Sequence, residues 1–357
     1  MTSTASTVSQ IAGGVDTHRD THHVAVIDQV GRRLADAEFP ASPAGYRQLL
    51  RWLNQHGAVR QVGVEGTGAY GAGLARYLRG HGIVVVEVDR PDRKGRRTHG
   101  KSDPIDAYAA ATAALNGTAS GTPKTRDGRV EAIRALRVVR RGAVKARTQA
   151  MNQLKGLIVT APADLRETLR GLPTAGLIAT CARLRPHLDG RSETAVISAS
   201  TKSALRHLAR RYQQLSQEIA ELDAELHPLV QAAAPALLEL PGVGPEVAGQ
   251  LLASAGDNPG RLRSESAFAH LCGVAPLPAS SGRTDRHRLN RGGDRAANNA
   301  LHTVVLTRLR YDSRTRDYVA RRTGQGLSKK EIMRCLQRYV AREVYRILTV
   351  ETPPPPA

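Results

Sequence analysis

The strongest constraint on this chain is the order of extended and helical segments in its first 88 residues. Three short β-prone runs follow one another, Gly13 to His18, His22 to Asp28 and Arg32 to Phe39, separated by Arg19-Asp20 and by Gly31. Two hairpins in succession make an antiparallel meander. Helical periodicity covers 43–55, a short apolar strand 61–65, a second helix 70–79 and a β-branched strand 82–88.

Three strands followed by helix, strand, helix and strand is the order of a ribonuclease H-like α/β domain, here placed at 1–115. Such a pattern predicts a fold and does not by itself assign chemistry. In it the first and fourth strands are neighbours at the sheet centre. Residues 116–128, rich in Gly, Thr, Ser and Pro without periodicity, read as a linker. The remainder is mainly helical. Within 129–234, apolar residues at Leu205, Leu208, Tyr212, Leu215, Ile219, Leu222, Leu226 and Leu229 alternate by three and four, the seam of a coiled coil pairing within or between chains. A helical C-terminal domain spans 235–350, and 351–357 is a proline-rich disordered tail.

Four acids stand out in the first domain. Asp16 interrupts the apolar pattern of the first strand, and Glu65 ends the fourth in a glycine-containing VGVEGTG. Asp103 and Asp106 lie three apart at a helix start, beside Pro104, and share one helix face. Converging carboxylates repel unless cations neutralise them, and hard oxygen donors suit Mg²⁺ or Mn²⁺. Two such ions about 4 Å apart can hold the attacking and leaving oxygens of a phosphodiester.

The charge balance points to the same kind of substrate. With 52 Lys and Arg against 32 Asp and Glu, the formal charge is +20. A surface this basic seeks polyanions. No apolar run approaches the about 18 residues of a membrane span, and the polar start is unlike a signal peptide, so a cytoplasmic location is expected. Three distant cysteines without CxxC pairing argue against a disulfide framework. Aromatics make up only 3%, which favours phosphate contacts over base stacking. A loop with Arg93, Lys94, Arg96, Arg97 and Lys101 precedes the acidic helix and is suited to gripping phosphates.

Two C-terminal segments add to this. Leu240 to Ala248, LPGVGPEVA, has the form of a helix-hairpin-helix turn, in which Gly242 and Gly244 expose backbone N–H groups to a phosphate. Further on, Ser280 and Ser281 precede Gly282 and are followed by Arg283, Arg286, Arg288 and Arg291. A serine there is a turn former or, among guanidiniums that hold a phosphodiester, a nucleophile. From Arg308 to Arg346, twelve basic residues against four acids accompany an apolar face of Ile332, Leu336, Val340, Val344 and Leu348, leaving a basic face for nucleic-acid backbone.

In order and spacing, GVDTH, VEGTG, KSDPIDA, LPGVGP and the late SSG with RLNRGGDRAANNAL resemble the DEDD transposases of the insertion-sequence family called bridge recombinases. The resemblance spans nearly the whole chain. It implies a RuvC-like N-terminal domain, a coiled-coil insertion and a C-terminal transposase domain with a catalytic serine. It assigns metal binding to Asp16, Glu65, Asp103 and Asp106, and the nucleophile to Ser281, with Ser280 as the adjacent alternative. It further implies donor and target duplex DNA, a structured noncoding bridge RNA, and a dimer or tetramer in which the site is shared between protomers. The family's Ile-Ser/Thr-Lys before Gly-Asn is replaced here by Leu289-Asn290-Arg291 and Gly293-Asp294, which leaves the roles of Arg291 and Asp294 open. Rival readings are a junction-resolving, metal-dependent nuclease using activated water, and a non-catalytic nucleic-acid-binding protein.

Overall fold

A computed structural model describes residues 9–88, 102–187, 192–283 and 287–350. The chain forms two compact units. Of the described residues, the first holds those up to Gly128 and 255–268; the second holds those of Arg129–Ser254 and 269–350.

The first unit is built on a five-stranded mixed sheet. Its strands are β1 (Gln10–Thr17), β2 (Thr21–Asp28), β3 (Arg33–Pro40), β4 (Ala58–Glu65) and β5 (Val84–Val88), in the order β3-β2-β1-β4-β5. The meander pairs antiparallel, and β1, β4 and β5 pair parallel. The expected meander and the central β1–β4 pair are both present. Strand β4 begins three residues earlier than its apolar core suggested, because β1 lends a pairing partner from Gln10 onward.

Alternation of side chains divides the sheet into two unlike faces. On one, Val15, Val24, Val26, Val62 and Val64 pack with Leu49 and Leu53 of α1 (Pro43–His56) and Leu74 and Leu78 of α2 (Ala72–Gly80). The Ser42 hydroxyl caps α1 by accepting from the Gly45 N–H (3.1 Å), and Pro43 opens the helix where its missing N–H costs nothing.

The other face carries α3 (Asp103–Leu115), whose Ala107, Tyr108 and Ala111 pack on Ala12, Ala25 and Ile27. This contact depends on two glycines paired in register, Gly14 of β1 and Gly63 of β4. A Cβ at Gly14 would overlap the Ala107 carbonyl and the Ala111 backbone, and one at Gly63 would overlap the Ala110 carbonyl. The helix backbone therefore rests directly on the strands.

Residues 116–128 are tied down rather than loose. The Glu87 N–H donates to the Gly121 carbonyl (2.7 Å), and residues 258–263 strap the segment from its other side. Asn258 accepts from the Thr125 N–H (3.2 Å) and donates to the Pro123 carbonyl (3.0 Å); Arg261 and Arg263 donate to the carbonyls of Thr122 (2.9 Å) and Ser120 (2.7 Å). The composition of a linker thus hides a segment held by side chains more than 130 positions away.

The second unit is helical: α4 (Arg129–Val159), α5 (Ala163–Leu169), α6 (Thr174–Arg183), α7 (Glu193–Ala233), α8 (Pro235–Glu239), α9 (Pro245–Ala255), then α10 (Glu265–Leu271), which crosses the unit boundary, and α11 (Arg295–Tyr311), α12 (Ser313–Gly324) and α13 (Lys329–Val350). Helices α4 and α7 lie antiparallel: Arg129 donates to the Ala232 carbonyl, Arg140 pairs with Asp223, Arg147 lies over Tyr212, and Leu154 shares a cluster with Leu205. The seam of α7 therefore has a partner within the chain. Leu205, Ile219, Leu222 and Leu226 are buried, while Leu208, Tyr212, Leu215 and Leu229 are only half-buried and Ala209 and Val230 are buried beside them. The buried line drifts by one residue because a straight helix of about 3.6 residues per turn departs from a 3.5-residue repeat. Near one end, Glu246 of α9 accepts from Arg137 (2.7 Å) and Arg140 (3.2 Å), joining three helices. The predicted apolar face of α13 is buried at Ile332, Leu336, Val340, Val344 and Leu348.

His22 is fully buried against Tyr46, its ring 5.8 Å away and nearly parallel, and neither ring nitrogen has a hydrogen-bond partner among the described residues. Burial lowers its pKa, offset in part by the Thr21 backbone and reinforced by His18. A histidine with a folded pKa below its unfolded value of 6.5 gives its full stability above that pH and loses it as the pH falls. Between pH 7.5 and 5.5 the wild type should lose more stability in urea unfolding than His22→Phe, which keeps the stacking and cannot charge. For the helix seat, Gly14→Ala should cost at least about 3 kcal/mol, since only backbone can move away, whereas Gly13→Ala, which meets the Val62 and Leu53 side chains at 3.2 and 3.4 Å, should stay within about 1 kcal/mol of wild type. Equal unfolding midpoints for the two would refute the seat.

Candidate active site

Asp16 lies on the α3 face of the sheet, in alternation with Ala12 and Gly14, and Glu65 lies on the same face two residues after Gly63. The parallel register places Val15 beside Val64, so the two acids follow side by side at the strand ends. The Thr17 hydroxyl donates to the Glu65 carbonyl (2.9 Å) and fastens these ends together. Gly66 then turns the chain at φ +67°, accepting from the Ala69 and Gly71 N–H groups.

Helix α3 starts above these strand ends. Asp103 and Pro104 open it, and the Asp106 N–H donates to the Ser102 carbonyl (3.1 Å). The glycine seat beneath Ala107, Ala110 and Ala111 sets how near the first turn comes to the sheet. A polar brace fixes it from the side: the Tyr108 hydroxyl donates to Asp36 of β3 (3.1 Å), whose other carboxylate oxygen lies 2.8 Å from His23 Nε2 of β2. Burial, and then this bond to Asp36, raise the Tyr108 pKa, so its hydroxyl stays a donor.

Asp16 and Asp106 are buried, 8% and 3% exposed, whereas the Asp103 side chain is 46% exposed. Ligand atoms of Asp16, His18 and Asp103 lie within 4.8 Å of one another. His18 Nε2 is 3.9 Å from Asp16 Oδ2 and 3.7 Å from Asp103 Oδ1. Glu65 and Asp106 do not belong to this tight group among the described residues. The structure thus brings two of the four expected acids together around a histidine that the sequence reading passed over. Its signal was available: it follows Asp16 by two residues, the spacing of one strand face, just past the end of β1. One buried and one half-exposed carboxylate converging with an imidazole form a donor set that fits a divalent cation.

The other expected residues stand elsewhere. Arg93, Lys94, Arg96, Arg97, Lys101 and Arg286 lie outside the described residues, as does the 351–357 tail. Ser280 and Ser281 belong to the second unit, exposed in the loop between the two-residue strands β6 (Leu277–Pro278) and β7 (His287–Arg288). Gly282 turns that loop at φ +55°, and Arg283, Arg288 and Arg291 are exposed.

In the LPGVGP turn between α8 and α9, Gly242 takes φ +81° and faces α11, where a Cβ would approach the Val304 carbonyl and Thr307 at 3.2 and 3.3 Å. Gly244 opens onto free space at the start of α9. Asp294 caps α11 by accepting from the Ala296 and Ala297 N–H groups, and its second oxygen accepts from the buried Ser254 hydroxyl (2.5 Å). Its carboxylate is thereby committed to holding α11.

Sequence comparisons match both units. A family model described as DEDD transposase matches residues 13–161, and one described as transposase of the IS116/IS110/IS902 family matches residues 234–320. A protein of Streptomyces coelicolor, described as the mini-circle transposase for IS117, is 27% identical over 320 residues, covering 76% of this chain and 77% of that one. A protein of Pseudomonas aeruginosa described as a family 20 transposase is 30% identical over 219 residues, covering 59% of this chain and 60% of its own length. The first family model covers the strands and helix that carry the acids, the second covers the turn and serine loop, and together they show that this chain belongs to the DEDD transposases of the IS110/IS116 family.

Proposed function

We propose that this transposase excises and inserts a mobile element by metal-assisted cleavage and exchange of DNA strands, with Ser281 as the nucleophile. The observation that carries the metal-dependent half is the approach of Asp16 and Asp103 at the joined ends of β1 and β4. Asp16, Glu65, Asp103 and Asp106 would hold Mg²⁺ or Mn²⁺. A cation bound there supplies charge neutralisation at the attacking and leaving oxygens of a phosphodiester.

For cleavage, the Ser281 hydroxyl oxygen attacks phosphorus and gives up its proton, the bond to one sugar oxygen breaks, and that oxygen leaves as a hydroxyl. The phosphoserine link conserves the bond, so a hydroxyl from another strand can reverse the step and free the serine. Arg283, Arg288 and Arg291 stand exposed around the loop and are suited to bind the non-bridging oxygens. The open start of α9 at Gly244 is suited to a backbone phosphate. The quartet and the serine belong to different units, and the reading assigns a working centre to two protomers of a dimer or tetramer. A structured noncoding RNA as guide agrees with the +20 charge and few aromatics, which favour recognition of folded RNA by shape and backbone.

Incubation of the full chain with copurified nucleic acid, duplexes bearing the ends of its own element, and Mg²⁺ should yield a covalent protein–DNA adduct on a denaturing gel. Ser281→Ala should abolish the adduct. Loss on Ser280→Ala with Ser281→Ala unaffected would move the nucleophile by one residue, and cleavage by Ser281→Ala with no adduct in wild type would replace strand exchange by hydrolysis. Asp16→Asn should reduce cleavage at least about 100-fold while DNA binding persists. RNA copurifying with the chain should map beside its own gene; its absence from an active preparation would remove the guide.

A further inference from the structure

The carboxylate closest to the centre of the candidate site has an imidazole for company. His18 follows Asp16 by two residues, and its N–H donates to the Thr21 carbonyl (3.0 Å) in the β1–β2 turn, which holds the residue at the strand end. Its ring is 43% exposed. The separations of 3.9 and 3.7 Å from Asp16 and Asp103 are too long for hydrogen bonds. They lie between the spacing of adjacent donors, about 3 Å, and that of opposite donors, about 4.2 Å, around an octahedral ion with metal–donor distances of about 2.1 Å.

His23 on the next strand is engaged with Asp36, and His22 faces the opposite side of the sheet against Tyr46, so His18 is the histidine of this segment that meets the carboxylates.

We propose that His18 Nε2 is a direct ligand of the divalent cation held by Asp16 and Asp103, and that this nitrogen makes the site favour Mn²⁺ over Mg²⁺. The inference rests on the metal-dependent reading above. Mg²⁺ is a hard ion that keeps oxygen donors and water, whereas imidazole suits first-row transition metals. An oxygen-only site offers little discrimination by donor type, and replacing one oxygen by nitrogen adds a term that Mg²⁺ does not share.

The test uses the full-length chain and Mn²⁺ alone, followed by electron paramagnetic resonance at one fixed pH. Pulsed measurements on the wild type should show an imidazole ¹⁴N coupling to bound Mn²⁺. His18→Ala and His18→Gln should lose that coupling yet still bind Mn²⁺, with affinity lowered by about 10-fold or more, while Mg²⁺ affinity from competition changes by less than about 3-fold. Bound Mn²⁺ without nitrogen coupling in the wild type, or equal losses for both metals, would overturn the role of His18 and leave the carboxylate site standing. No Mn²⁺ binding by the wild type, or binding untouched by Asp16→Asn, would overturn the metal-dependent reading and this inference with it.

Discussion

The contact between α3 and the glycine pair of β1 and β4 governs the geometry of the first unit. Helices usually stand off a sheet by the length of their side chains. Here Gly14 and Gly63 remove that spacer, and an alanine-rich helix face lowers its own backbone onto the strands. The consequence reaches beyond packing. Asp103 and Asp106 occupy the first turn of the same helix, so its depth fixes how far their carboxylates stand from Asp16 and Glu65 at the strand ends. The brace from Tyr108 to Asp36 and on to His23 prevents the helix from sliding across the sheet once it is seated. A short apolar contact and a half-buried polar network thus share one task, placing acids that would otherwise repel.

The second unit uses a different device. Two long antiparallel helices bury a narrow apolar line, and arginines extend from that line into carboxylates on neighbouring helices. Arg137 and Arg140 tie α4, α7 and α9 together, so the segment entering the LPGVGP turn and the helix leaving it are anchored to the long pair. Asp294 plays the corresponding part farther along, capping α11 and binding Ser254. These groups hold the frame on which the serine loop is displayed, and the loop itself is short of apolar anchors and exposed.

Much of the first unit was legible before any coordinates. The alternation of apolar residues marked the strands, and their order placed β1 beside β4, which in turn predicted that Asp16 and Glu65 would be neighbours. The apolar face of α13 was equally plain from its periodicity. The 116–128 segment was not, because its order comes from Asn258, Arg261 and Arg263, and composition carries no record of partners that distant. The partner of the α7 seam was hidden for a similar reason: heptad spacing shows that a helix has an apolar line, without showing which helix covers it. His18 was overlooked because a histidine in a turn-proximal THRDTHH is ordinary by type, and only its approach to Asp103 distinguishes it.

Sequence alone marked the candidate acids and the elements that bear them, since residue type and periodicity are local properties of the chain. It determined the basic charge that commits the surface to polyanions, and the order and spacing of the four acids. Tertiary structure decided the distances. It brought Asp103 to Asp16 across 87 positions, set His18 between them, left Glu65 and Asp106 outside that closest group, and gave Asp294 a structural duty. The physical reason is that convergence depends on how closely two backbones approach, and that was settled by the absence of two Cβ atoms beneath one helix.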